Sequence, residues 1–76
     1  MKKINWGIVG AGRISSQFVE DMQYVNNGQV CAVAARNIDN AQAFANKFAI
    51  NKAYGSYSEL YNDPDIDVVY IAIPHN

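Results

Sequence analysis

Apolar positions along this chain come in two alternating rhythms. A short, nearly continuous apolar run is followed each time by a stretch with apolar residues at helical spacing. The first run, Ile4–Val9, reads as a strand, and its Asn5 and Gly7 suggest one face that accepts a closely packed helix. A helix is predicted from about Gly12 to Asn26, with Ile14, Phe18, Met22 and Val25 on one stripe and Asn27-Gly28 as a left-handed stop. The second run, Val30–Ala35, is continuously apolar, as strands of parallel sheets are when both faces are buried. Asp39-Asn40-Ala41-Gln42 has the pattern of a capping box, and Ala41, Phe44, Ala45 and Phe48 line one face of the helix it would open. That helix is expected to end near Phe48 or Ala49. A short strand around Ala53-Tyr54 is closed by Gly55. A second capping box, Ser56-Tyr57-Ser58-Glu59, opens a short helix whose Tyr57, Leu60 and Tyr61 face inward, and Asp63-Pro64 ends it. The last run, Val68–Ile73, is the most apolar, and Pro74-His75-Asn76 terminates it.

A β-α-β-α-β-α-β alternation with short connections calls for an α/β fold with a doubly wound parallel sheet. The Rossmann-type strand order 3-2-1-4 follows, truncated after the fourth strand. It sets strands one and four side by side at the topological switch point. Their C-terminal ends then carry Gly10-Ala11-Gly12 and Pro74-His75-Asn76.

Composition narrows the reading further. With 76 residues the chain is at most one small domain. Half of the residues are hydrophobic and 17% charged, as in ordinary globular proteins. The net charge of −1 offers no basic footprint for nucleic acid or for a membrane surface. Met1-Lys2-Lys3 is not followed by the apolar core of a signal peptide, and no run reaches the ~20 residues that span a bilayer, so a cytoplasmic protein is expected. The single cysteine, Cys31, lies in an apolar run and reads as a buried, inert thiol. No metal site is predicted.

The candidate chemistry lies in Ile8-Val9-Gly10-Ala11-Gly12-Arg13-Ile14-Ser15. Two glycines spaced G-x-G stand between a strand and a helix, where the first allows a tight turn and the second lets backbone approach a pyrophosphate. The helix then points free N–H groups and the positive end of its dipole at the anion. The third position of G-x-G-x-x-G is Ser15, small enough to stand where Gly or Ala is usual. Such a turn also occurs for purely steric reasons. Here a second strand follows at the βαβ distance and ends at Arg36, where the ribose discriminator is expected. NAD-selective sites place an acid there; Arg36 instead offers a charged planar fork suited to a 2′-phosphate, and Asn37 could add a hydrogen bond. The expectation is therefore a dinucleotide site that prefers NADP and can take NAD. Asp39, the nearest acid, reads as the cap of the second helix.

Four segments resemble the Gfo/Idh/MocA oxidoreductases, the glucose–fructose oxidoreductase and inositol dehydrogenase family. They are Gly7–Ile14, Ala34-Ala35-Arg36-Asn37, Tyr54–Leu60 and Asp63–Ile71. Within that family the stretch Ala32–Leu60 looks closest to the dihydrodiol dehydrogenase-like branch. The resemblance implies residues 1–76 as the N-terminal part of the Rossmann domain of an NAD(P)-dependent dehydrogenase. Its substrate would be a sugar, a cyclitol or a related hydroxyl compound, bound largely by a second domain absent from this chain. A parent homo-oligomer is also expected. Gly10, Ala11 and Gly12 would donate N–H groups to the cofactor, with Arg13 beside them. Ile14 would pack near the nicotinamide ribose, and Ile73, Pro74 and Asn76 would border the nicotinamide. The family's Glu-Lys-Pro lysine and substrate-domain histidine fall beyond these residues, so no catalytic residue is predicted here. His75 reads as a turn residue lining the pocket. A nucleotide-sensing module without chemistry would use the same turn. An S-adenosylmethionine methyltransferase also begins with such a turn but usually ends strand two with an acid. The strand Val68–Ile73, lacking its next neighbour, would be an open apolar edge through which the fragment self-associates.

Overall fold

The computed structural model describes residues 3–72. Its elements are β1 (Ile4–Val9), α1 (Arg13–Met22), β2 (Gly28–Ala34), α2 (Ile38–Phe48), β3 (Lys52–Tyr54), α3 (Tyr57–Tyr61) and β4 (Val68–Ile71). The strands form one sheet in the order β3-β2-β1-β4, and every pairing is parallel. Ile73, Pro74, His75 and Asn76, expected at and beyond the end of the last strand, lie outside the described residues.

Side chains alternate across each strand, so each central strand feeds two cores. Ile8 and Val33 point to one face, where Val19 of α1 and Phe44 and Ala45 of α2 cover them. Val9, Ala32 and Ala34 point to the other, where Leu60 of α3 packs. The second face is lined by small residues because α3 lies close to it. A Cβ on Gly7 would stand 3.0 Å from Leu60 Cδ2 and 3.1 Å from Ile66 Cγ2. This is the close helix contact expected of Gly7.

Several elements differ from the sequence expectation. The first helix stops at Met22 rather than Asn26. The N–H groups of Gln23, Tyr24 and Val25 bond to carbonyls three residues back, which tightens the chain out of the α-helix. Tyr24 is 85% exposed, so no burial supports another turn. The buried edge of α1 is Ser15 and Val19, with Ile14 and Val25 on the surface, because the small Ser15 lets the helix lie against the β1 turn. Gly28 is not a left-handed stop. It begins β2, and a Cβ there would meet Met22 Cε at 2.9 Å. Strand two therefore runs Gly28–Ala34, with Ala35 buried just past its end and donating its N–H to Tyr54 O.

The cap of α2 is Asn37, not Asp39. Asn37 has extended backbone, and its Oδ1 accepts the Asp39 N–H at 2.8 Å. Asp39 sits inside the first turn, where its charge faces the positive end of the helix. At the other end Ala49 takes a left-handed conformation, φ 57°. In α3, Leu60 is fully buried and Tyr61 is exposed, since a five-residue helix offers the sheet a narrow stripe. Cys31 is half-buried rather than buried, and burial pushes its thiol up in pKa, which keeps it protonated.

A polar staple fixes β3 to the loop before β4. Lys52 Nζ bonds to Asp63 Oδ2 at 2.9 Å and to Asp65 Oδ2 at 3.0 Å, and Tyr54 OH donates to Asp63 Oδ2 at 2.7 Å. The Asp63 side chain is 2% exposed. Lys52, then Tyr54 and the Asp65 N–H, hold its carboxyl down at about 2. β4 pairs with β1, and among the described residues no strand lies on its outer side.

Candidate functional site

Among the described residues three strand-to-helix turns leave the C-terminal end of the sheet, and only the first is bare. Gly10, after β1, has φ 107°, a conformation that side chains rarely adopt. Its N–H bonds to Ala34 O at 2.7 Å, which ties the ends of β1 and β2 together. Gly12 is the N-cap of α1 and supplies no side-chain hydrogen bond, and the first turn holds no acid. Among the described residues, the first N–H of this helix to find an acceptor is that of Ser16, bonded to Gly12 O at 3.0 Å. A Cβ on Gly12 would meet nothing within 4 Å, so the turn opens onto free space.

The other two helices are closed by their own side chains. Asn37 caps α2, with Asp39 in its first turn. At α3, Ser56 Oγ accepts the Glu59 N–H at 3.4 Å and donates to Glu59 Oε1 at 3.0 Å. The open α1 terminus thus keeps donors and a positive dipole end with no internal anion, and a phosphate-bearing cofactor fits it.

The residues expected to bind are brought partly together. Gly10 is buried, Ala11 half-buried, and Gly12, Arg13 and Ile14 are exposed at the mouth of the turn. Arg36 is exposed two residues past the Ala34 carbonyl that holds Gly10, so it stands at the adjoining strand end. Asn37 is beside it, but its side-chain oxygen is committed to the α2 cap. Ile73, Pro74, His75 and Asn76 lie outside the described residues. Reading the sequence missed a role for Ser15. It is fully buried, and its Oγ donates to Gly10 O at 2.6 Å. The available signal was a hydroxyl where the turn needs only a small side chain. No group of three or more potential metal ligands occurs among the described residues, and no helix there is long and apolar enough to cross a membrane.

The Gfo/Idh/MocA model, an oxidoreductase family with an NAD-binding Rossmann fold, matches residues 4–76. The chain belongs to this family. The match is to that family's NAD-binding Rossmann fold, as the bare turn and the 3-2-1-4 sheet lead one to expect. A trans-1,2-dihydrobenzene-1,2-diol dehydrogenase from Bos taurus is 50% identical over 74 residues, which are 95% of this chain and 22% of that protein. The chain therefore spans about a fifth of the length of such relatives. Among solved structures, a 3-ketoreductase from Actinomadura kijaniata in complex with NADP superposes with a TM-score of 0.88 at 26% identity, covering 96% of this chain and 23% of that one. A myo-inositol dehydrogenase from Lactobacillus casei in complex with NAD(H) and myo-inositol gives 0.82 at 26% identity, covering 92% and 21%. Both dinucleotides thus occur among its structural neighbours.

Proposed function

We propose that the protein is an NAD(P)-dependent dehydrogenase acting on a hydroxyl or carbonyl carbon of a sugar, cyclitol or related diol, and that this chain holds the cofactor. The observation that carries the reading is the bare α1 terminus behind Gly10 and Gly12, set beside two helices whose termini are capped internally. Gly10, Ala11 and Gly12 line the pyrophosphate cradle, with Arg13 and Ile14 at its rim. When bound, the nicotinamide would supply the hydride donor or acceptor. The residues of this chain bind and orient; a substrate domain encoded in the remaining length seen in the relatives would hold the reacting carbon. Ile73, Pro74, His75 and Asn76 are assigned to the nicotinamide border from their sequence position.

We further infer a preference for NADP. β2 is followed by Ala35 and the exposed Arg36, with no carboxylate at the position that would accept both ribose hydroxyls and repel a 2′-phosphate. A guanidinium there can form a charge-assisted fork with a phosphate dianion. Titrating the full-length protein with NADPH and with NADH, followed by nicotinamide fluorescence, tests both parts. Saturable binding of both with NADPH tighter is expected. Tighter NADH overturns the preference, and binding of neither overturns the cofactor site.

A further inference from the structure

We infer that Ser15 is a positioning residue that sets the cofactor cradle in its binding geometry before any ligand arrives. The inference rests on the cofactor reading above. Ser15 is 0% exposed, so its hydroxyl has no access to solvent and must find a partner inside. It donates to the carbonyl oxygen of Gly10, five residues back across the turn, at 2.6 Å. That carbonyl shares a planar peptide group with the Ala11 N–H, and no cis peptide bond occurs among the described residues. In a trans peptide the C=O and N–H point in opposite directions. Holding Gly10 O toward the helix therefore turns the Ala11 N–H away from it. Among the described residues that N–H has no acceptor, as expected of a donor kept for a ligand.

The lock is needed because of Gly10 itself. Its φ of 107° lies where glycine is permissive, and glycine crosses between such conformations easily. The strand bond from Gly10 N–H to Ala34 O fixes the peptide before the residue and leaves the one after it free to rotate. The Ser15 hydroxyl restrains that second plane. An alanine here would satisfy packing against the strand and lose the restraint.

The test compares Ser15→Ala with wild type in the full-length protein, using ADP and adenosine as probes and thermal unfolding as a control. ADP carries a pyrophosphate and adenosine does not. Loss of one net hydrogen bond predicts ADP and NADPH binding weaker by about three- to tenfold. Adenosine affinity should be unchanged, since adenosine never meets the Ala11 N–H. Ser15→Gly, smaller still and also without a hydroxyl, should show at least the same selective loss of ADP over adenosine binding. Equal weakening for ADP and adenosine would mean that Ser15 merely supports the fold, and unchanged ADP binding would mean that the hydroxyl orients nothing; either overturns the inference alone. If wild type binds neither ADP nor NADPH, the cofactor reading falls and this inference falls with it.

Discussion

The turn after β1 and the turns after β2 and β3 occupy one end of the same sheet and treat their helices in opposite ways. Asn37 and Ser56 each place a side-chain oxygen on an orphan N–H, and Asp39 and Glu59 add negative charge within the first turn. Gly12 provides neither, and α1 carries no acid there. Glycine at the N-cap forgoes only a few tenths of a kcal/mol relative to Asn or Ser, but it leaves the N–H groups of the first turn unbonded. A helix left open while its neighbours are capped keeps those donors available, as the proposed cofactor cradle requires. The difference separates a structural turn from a binding turn more sharply than glycine content does, since Gly55 also stands in one of the capped turns.

The largest effect should come from removing the openness of the first turn. Gly12→Val places a branched side chain where nothing now lies within 4 Å. The fold should lose only about 1 kcal/mol, the difference between a good and a poor N-cap. Affinity for either dinucleotide should fall on the order of a hundredfold, because several charge-assisted bonds are blocked together. Calorimetric titration beside thermal unfolding measures both, and normal binding by this variant would remove the distinction between the turns.

Arg36→Ala is the next largest and acts on only one cofactor. Loss of a charge-assisted contact predicts about 1.5–3 kcal/mol, roughly one to two decades in NADPH affinity, with NADH unchanged. Equal losses for both would reduce Arg36 to a general electrostatic contribution.

Substitutions in the capped turns should show the reverse pattern. Asn37→Ala and Ser56→Ala should each cost about 1 kcal/mol of stability and leave ADP affinity within about twofold. Chemical denaturation with a parallel ADP titration checks this. A large binding defect in Asn37→Ala with unchanged stability would move Asn37 from the cap to the ligand.

Smallest is a pH effect remote from the site. Lys52 and Tyr54 hold Asp63 at about 2, below its ordinary value. A depressed folded-state pKa contributes stability that is fully present above the unfolded carboxyl's range, near pH 4. That contribution is lost as pH falls toward about 2. Thermal midpoints should decline across that window, and Lys52→Met should make the decline shallower. Parallel slopes for the two proteins would assign the acid sensitivity elsewhere.

Most of the architecture was legible because local and long-range signals agreed. Ile8, Val9, Ala32, Val33 and Ala34 sit in apolar runs and are buried in the central strands; Phe44 and Ala45 sit at helical spacing and are buried under α2. The Ser56–Glu59 capping box was readable because both partners are in one short segment. The helix stripe of α1 was not. Hydropathy favoured Ile14, yet Ser15 lies inside because the glycine turn behind it leaves room for a small residue and an acceptor for its hydroxyl. Asp39 and Asn37 are both good caps, and the backbone entering from β2 decides between them. The Lys52–Asp63–Asp65 staple joins residues that no spacing rule links. At the candidate site the glycines and Arg36 could be named from the chain alone, while the bareness of α1 became visible only against the caps of α2 and α3.

Backbone amide chemical shifts of isotope-labelled full-length protein titrated with ADP test this account most directly, because they report all three helix termini in one experiment. Large, saturable shifts are expected at Ala11, Gly12, Arg13 and Ile14, with the capped amides of Asp39 and Glu59 nearly still. Shifts centred on Asp39 or Glu59, with Ala11 to Ile14 unmoved, would contradict it.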